Sequence, residues 1–363
     1  MSIDNAQAGS GGTPAAPAAD PAAPRASASG GGHPLRRAFI GIGALAVVLA
    51  LLLGGGFFFL ENRYAGNIHR VDNVFAGLNN RPAPASPNRP EAAAPVTFLL
   101  MGSDTRGHFA PGELPDARSD AIMIVRFSGD RQHAQVVSIP RDSWVNVPGY
   151  GMHKINASYA YGGPRLLIQT VEQLTHVRID HYAAIDFDGI IKVTDELGGV
   201  DVMVAATTKN GPYTFHAGLN HLNGIQAKWY LGQRHRLAGG DFDRERRDQQ
   251  YLKAMFGKLF SAQTFRNPAL LDGALRAVTG AVAVDDSVSN NDLLALGLSM
   301  RDLTPKNVDY FTAPVLGTGM EGAASVVYLD AVKGERMWRY LQTDSLSQNA
   351  ADFSAQQLPD VPR

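Results

Sequence analysis

The chain has 363 residues, 18% of them charged, and a formal net charge of −1 at pH 7. That balance supplies no basic surface for a nucleic-acid backbone, so no nucleic-acid partner is expected. Cysteine is absent, which excludes disulfides, thiol catalysis and Cys-ligated zinc.

Residues 1–37 are mostly Ala, Pro, Gly and Ser. Such a segment buries too little apolar surface to offset its ordering entropy, and it is expected to be a disordered cytoplasmic tail. Residues 38–60 carry no charge, and about 20 apolar residues suffice to cross a bilayer. This stretch is expected to be a single transmembrane helix. It has no polar face, unlike a buried core helix, and it is too long for the core of a cleaved signal. Arg36 and Arg37 precede it, which favours a cytoplasmic N-terminus and an extracellular C-terminal domain at the cell membrane. Residues 61–95 read as a juxtamembrane segment and Pro-rich linker, 96–343 as one large domain, and 344–363 as a flexible C-terminal tail.

Within the domain, candidate strands are Val96–Met101, Ala121–Phe127, Ala134–Ile139, Ile179–Ile185 and Val200–Val204, with further ones at Val282–Val284 and Val326–Leu329. Candidate helices are Pro164–Thr175, Phe187–Leu197, Arg244–Ala262, Pro268–Thr279 and Asn291–Met300. Pro164 and Pro268 suit a first helical turn, and Gly198-Gly199 a helix stop. Leu166, Ile168, Val171 and Leu174 lie close to helical spacing. Strands alternating with helices predict an α/β domain whose sheet is covered on both faces. Ligands bind such sheets beyond the strand ends.

Charged residues fall at those ends. Gly102-Ser103-Asp104-Thr105-Arg106 follows one apolar run, Arg118-Ser119-Asp120 precedes the next, and Ser138-Ile139-Pro140-Arg141-Asp142 closes a third. Asp104 and Asp120 are hard oxygen ligands suited to Mg²⁺. Arg106, Arg118 and Arg141 present planar forks that match phosphate oxygens. Taken singly, each is equally well a surface ion pair; three strand ends delivering Arg and Asp together point to a polyphosphate. A second cluster spans Gln233-Arg234-His235-Arg236, Gly239-Gly240-Asp241-Phe242-Asp243-Arg244 and Arg247-Asp248-Gln249-Gln250. Cations at a helix start are unfavourable unless an anion lies nearby, so Arg246 and Arg247 hint at phosphate, and Arg236, Arg244 and Arg247 of this cluster join the candidates for phosphate binding.

Together these segments resemble the LytR-CpsA-Psr family, over the apolar span and roughly Val96 to Leu259. The resemblance rests on Leu-Leu-Met-Gly-Ser-Asp-Thr-Arg, Arg-Ser-Asp-Ala-Ile-Met, Ser-Ile-Pro-Arg-Asp-Ser, His-Lys-Ile-Asn-Ala-Ser-Tyr-Ala-Tyr-Gly-Gly, Asp-Glu-Leu-Gly-Gly-Val-Asp and Gly-Asp-Phe-Asp-Arg-Glu-Arg-Arg-Asp-Gln-Gln. The Ala/Pro-rich tail is similar to that of actinobacterial members. The resemblance implies a three-layer α/β/α domain with a central mixed sheet, anchored in the membrane. It implies transfer of a glycopolymer from a polyprenyl pyrophosphate carrier onto a peptidoglycan acceptor, with the prenyl chain in an apolar pocket and the pyrophosphate at its mouth.

Carried over, the magnesium acids fall on Asp104 and Asp120, and the pyrophosphate arginines on Arg118, Arg141 and Arg234. Lys154, Asp241 and Gln249 match further site positions. The family's Arg-x-Arg pair falls on Gly232 and Arg234 in one register and on Arg234 and Arg236 in the other. Its Arg-Gln-Gln reads Arg247-Asp248-Gln249, an acid replacing the first amide. The implied reaction is Mg²⁺-assisted phosphoryl transfer, with Asp104 or Asp241 as base. A scaffold that holds prenyl phosphate without turnover, or a pyrophosphatase, is the runner-up, admitted by Gly232. Charge, span and the lack of a helix-turn-helix signal disfavour a transcriptional regulator. Nothing in the sequence sets the oligomeric state.

Overall fold

The structure, a computed structural model, describes residues 64–86, 93–103, 119–233, 237 and 241–361. The chain divides into two units, 1–56 and 57–363, and the first lies wholly outside the described residues. The expected tail and transmembrane helix, 1–60, also fall outside them; among the described residues no helix is long and apolar enough to cross a membrane.

The second unit is built on strands β1 (His69–Val71), β2 (Val96–Ser103), β3 (Ser119–Phe127), β4 (Ala134–Ser138), a hairpin β5 (Trp144–Val147) and β6 (Gly151–Lys154), helix α1 (Ile155–Thr175), β7 (His181–Asp186) and α2 (Phe187–Glu196). Short strands β8 (Val200–Val204), β9 (Thr208–Asn210), β10 (Tyr213–Phe215) and β11 (Gly218–Leu222) lead to helices α3 (Gly224–Leu231), α4 (Asp241–Leu259), α5 (Ala262–Arg266) and α6 (Pro268–Ala281). The chain continues through β12 (Val282–Asp285), α7 (Asn290–Ser299), β13 (Val308–Thr312), the hairpin β14 (Val315–Glu321) and β15 (Ala324–Leu329), and α8 (Ala331–Gln342).

Seven strands form one mixed sheet in the order β1-β12-β7-β2-β3-β4-β13. The pairs β2–β7 and β4–β13 are parallel, while β3 runs antiparallel to both β2 and β4. This directionality decides where the chemistry collects. The C-terminal ends of β2, β4, β7 and β13 and the N-terminal end of β3 share one rim of the sheet.

Side chains alternate across a strand, and both faces are apolar. Leu99, Met101, Ile122, Ile124 and Val137 face α1 (Leu167, Ile168, Val171) and α8 (Met337, Leu341). Met123, Val136 and Tyr310 face the other way, with Leu252 and Phe256 of α4 packed on them. Leu293 and Leu296 of α7 pack beside Phe98, Ala183 and Val284 on that same side. The mixed α/β architecture expected from the sequence is therefore the one observed, and its core is two apolar layers separated by the sheet.

The helix read from Pro164 begins earlier. Residues 155–175 form helix on both sides of a kink at Gly162 and Gly163, and Gly163 sits at φ 62°. That left-handed angle suits glycine, and Pro164 then opens the second segment, where its missing N–H costs nothing. The expected boundaries of the domain need two corrections. At the front, β1 pairs with β12, Val71 and Val74 are core residues, and the Arg81 guanidinium bonds both oxygens of Glu172. Residues 64–86 are thus part of the domain and not a linker. At the back, residues 344–361 are not a loose tail. Asp344 accepts the Gly129 N–H at 3.0 Å and lies 3.8 Å from the buried Arg126, Phe353 is 0% exposed, and the Leu358 N–H donates to Tyr310 O at 2.9 Å.

Candidate functional site

The loop after β4 brings Arg141 and Asp142 to the rim. Its carbonyls cap the helix that follows: the Ile155 N–H donates to Ser143 O at 2.8 Å and the Asn156 N–H to Arg141 O at 3.1 Å. These bonds satisfy amides that a helix N-terminus leaves orphaned, which fits the lack of a side-chain cap at Lys154. They also hold Lys154 over the loop, and its Nζ lies 3.1 Å from Asp142 Oδ1, while Arg141 Nε is 4.0 Å from Asp142 Oδ2. One carboxylate thus gathers two cations 13 residues apart in sequence.

The first turns of α4 close the cavity from the other side. Its walls include Ala121, Ser138, Arg141, Asp142, Arg244, Glu245 and Asp248. Arg244 is buried, which places a guanidinium inside. The oxygens Ser138 Oγ and Glu245 Oε1 are shielded from water and have no hydrogen-bond partner. Buried polar atoms without partners are rare in native proteins, and a water or a polar ligand group in the cavity would satisfy these two. Burial, reinforced by the Asp248 charge, pushes the Glu245 carboxyl up to about 8 against the opposing pull of Arg244 and Arg246. The residue as a whole is half-buried, while its Oε1 is shielded.

Beside this polar cavity lies an apolar cleft, lined by Leu100, Met101, Ala121, Met123, Ile185, Ile190, Leu231, Tyr251 and Leu252. Ala121, Met123 and Asp248 line both spaces, so the two lie side by side. Its free space is about 60 Å³, below the roughly 150 Å³ of an apolar void that holds benzene. The cleft must widen to seat a long hydrocarbon chain.

A cationic rim above an apolar cleft, on this sheet, matches known proteins. The LytR_cpsA_psr family model matches residues 70–343. The chain belongs to the LytR-CpsA-Psr family. It is 30% identical to the cell wall biosynthesis protein LcpA of Corynebacterium glutamicum, over 91% of this chain and 70% of that protein. The crystal structure of Bacillus subtilis TagV superposes with a TM-score of 0.57 at 29% identity, covering 69% of this chain and 97% of that one. A structure of TagT bound to LI-WTA superposes with a TM-score of 0.54 at 25% identity, over 72% and 96% of the two chains.

The family positions fare unequally in the structure. Arg141 and Lys154 meet at Asp142 on the rim, and Arg244 lines the same cavity as Arg141. Asp120 is the second residue of β3 and Asp241 opens α4, so their backbones stand at that rim; their side chains, and all of Asp104, Arg106, Arg118, Arg234 and Arg236, lie outside the described residues. Arg247 and Gln249 do not join the cavity walls. The Arg247 guanidinium donates to Gln233 Oε1 at 2.8 Å and to Thr208 at 3.3 Å and stacks 4.8 Å over the Tyr230 ring. Gln249, fully buried, donates to Phe311 O at 2.9 Å and Thr312 Oγ1 at 3.3 Å. Both tie α4 to its neighbours, and neither lines these two cavities. Glu245 was not singled out from the sequence, and Ser138, Asp142 and Asp248 entered there only as parts of their motifs. The usable signal was the spacing of Glu245 and Asp248, three residues apart on one helix face.

Proposed function

We propose that the chain is the membrane-anchored member of its family that moves a glycopolymer from a polyprenyl pyrophosphate carrier onto peptidoglycan. The observation that carries this reading is the cationic rim (Arg141, Lys154, Arg244) lying beside the apolar cleft, with Asp248 in the wall of both. An amphiphile with an anionic head and a hydrocarbon tail suits this pairing of spaces once the cleft widens. The likeness to TagT, whose structure holds LI-WTA, supports the same class of substrate.

In this reading the guanidiniums of Arg141 and Arg244 bind the pyrophosphate and neutralise the charge that grows on the leaving prenyl phosphate. Lys154 adds a point charge and fixes Asp142, which in turn orients Arg141. Arg118, Arg234, Arg106 and Arg236 extend the clamp from the neighbouring loops. Asp104 and Asp120 would hold Mg²⁺, which would supply Lewis-acid polarisation of the pyrophosphate. Their donor chemistry suits that ion. Among the described residues there is no group of three or more His, Asp or Glu side chains that could hold a metal ion. The apolar span 38–60 is the anchor, with the domain outside the cell.

The test is transfer of a labelled lipid-linked glycan to peptidoglycan by the full chain in detergent, with and without chelator. Wild-type transfer that chelation abolishes and Mg²⁺ restores is expected. Binding of the lipid without any transfer would favour the scaffold reading.

A further inference from the structure

A cavity of about 850 Å³ lies between the β5–β6 hairpin, the end of α1, β15 and α8. That is within the roughly 300–1,000 Å³ of small-ligand sites. Its wall carries the aromatic rings of Trp144, Tyr328 and Trp338, with Met152 and the amides of Asn146 and Gln173. Trp338 is anchored in the layer under α1 and α8. The Tyr328 hydroxyl donates to Glu321 at 2.8 Å, and its ring lies where a β-carbon on Gly319 would stand, 2.6 Å from Cε2. The rings are thus fixed before any ligand arrives. The Asn146 and Gln173 side chains are exposed, and among the described residues none hydrogen-bonds their amides. The charged groups in the wall are committed: Glu335 lies 3.7 Å from Arg339, and Asp330 caps α8. Fixed aromatic faces beside free amides suit a neutral pyranose. Its C–H face packs on a ring, and its hydroxyls exchange hydrogen bonds with an amide, which both donates and accepts. A bare hydrocarbon would leave the amides unused, and a polyanion would find no free cation pair.

The hairpin ties this cavity to the rim. Residues two apart on a strand, and those paired directly across it, share a face. Trp144 pairs with Lys154 and Asn146 with Met152, so these four share one face, while Val145 and Val147 turn into the core. Lys154 reaches from that face to Asp142 on the rim, 3.1 Å away. The β-carbons of such a pair stand about 5 Å apart, so the cavity begins one side chain from the phosphate site. It also lies across the sheet from the apolar cleft. Leu174 and Trp338 of its wall belong to the layer of α1 and α8, and Met123 and Leu252 of the cleft to the opposite layer. In phosphoryl transfer the attacking and leaving oxygens are roughly in line. A carrier whose tail occupies the cleft departs toward that layer, and the attacking hydroxyl arrives from the other. We propose that this cavity holds the glycan strand of the acceptor, its sugar rings on Trp144 and Tyr328 and its polar groups on Asn146 and Gln173. This rests on the transferase reading above.

Two of the three tryptophans of the chain, Trp144 and Trp338, stand in this wall, so intrinsic fluorescence reports on it. The probe is a β-1,4-linked N-acetylglucosamine tetrasaccharide, titrated into the full chain in a detergent without a sugar headgroup. Wild type should show a saturable change in emission. Asn146→Ala should raise the Kd roughly three- to tenfold, the range of one lost hydrogen bond. Trp229→Phe, outside the cavity, should leave the Kd unchanged. In transfer assays with a soluble glycan acceptor, Asn146→Ala and Trp144→Ala should raise the KM for the acceptor at least about threefold and leave the KM for the lipid donor unaltered. Asn146 is exposed, so its variant should melt with wild type. If Trp144→Ala does not fold, Trp144→Leu keeps the apolar contact and removes the flat face. Wild-type emission that ignores the tetrasaccharide, or an unchanged acceptor KM in folded Asn146→Ala and Trp144 variants, overturns the proposal and leaves the transferase reading standing. A raised KM for the lipid donor instead assigns the cavity to the donor's glycan and also overturns it. A wild-type chain that transfers nothing removes the transferase reading and the acceptor role with it.

Discussion

Arg141 and Arg247 show how alike two arginines look in sequence and how differently they act. Both sit beside an aspartate in a motif that resembles the family's. Arg141 is held at the rim by a loop that also caps a helix, and its neighbour Asp142 is shared with Lys154. Arg247 is buried, with its donors committed to Gln233 and Thr208, and burial lowers its pKa. A charge-assisted bond to phosphate contributes roughly 1.5–3 kcal/mol. Arg141→Ala should therefore lose at least about tenfold in turnover with little change in melting temperature. Arg247→Ala should show the reverse balance, since it leaves Gln233 Oε1 and Thr208 without their donor. Kinetics and thermal melts on the two variants separate these outcomes, and equal losses of turnover at unchanged stability would return Arg247 to the clamp.

Among the elements, the segment after α8 has the least obvious role in the sequence and a clear one in the fold. Its apolar content is modest, yet Phe353 fills a slot beside Leu346 and Met337 in the layer under α1 and α8. Tyr340 meets its ring edge-on at 6.1 Å. The backbone beyond it bridges Phe311 through Gln357, so it extends the edge strand β13. An exposed sheet edge invites unwanted pairing, and this segment covers it. Truncating a fully buried phenylalanine costs about 3–5 kcal/mol. Phe353→Ala should lower the urea midpoint accordingly, with the slope unchanged. A midpoint within experimental error of wild type would mean that the segment is dispensable, as a tail would be.

At the scale of the whole molecule, the reaction needs the rim to meet a lipid carrier at a membrane surface. The 23 residues of 38–60 carry no charge and follow Arg36-Arg37, so the domain is expected outside the cell. A reporter active only in the cytoplasm, fused after Arg363, should be silent in intact cells. A bright fusion would place the domain on the wrong side for peptidoglycan and sink the proposed reaction. A cysteine-free chain has no disulfide to lose in either compartment, so stability does not bias this test.

Some of this protein was readable without coordinates. Long apolar runs with clear period and punctuation, such as Ala121–Phe127 and Pro268–Thr279, specify their own element, because burial of one face and local caps agree. Strand ends carrying Arg and Asp placed Arg141 at a rim before any topology was known. Short elements resisted: β1, β5, β6 and β13 have three to five residues each and gain their apolar contacts from partners far along the chain. The same holds for the site. The sequence supplied Arg141, Lys154 and Arg244, whose motifs are local. Only the tertiary structure separated Arg247 and Gln249 from them, because which way a helix turns its faces depends on what packs against it. Only the tertiary structure also set Glu245 apart from the other acids, since the property that distinguishes it is loss of water around one oxygen, which no spacing encodes.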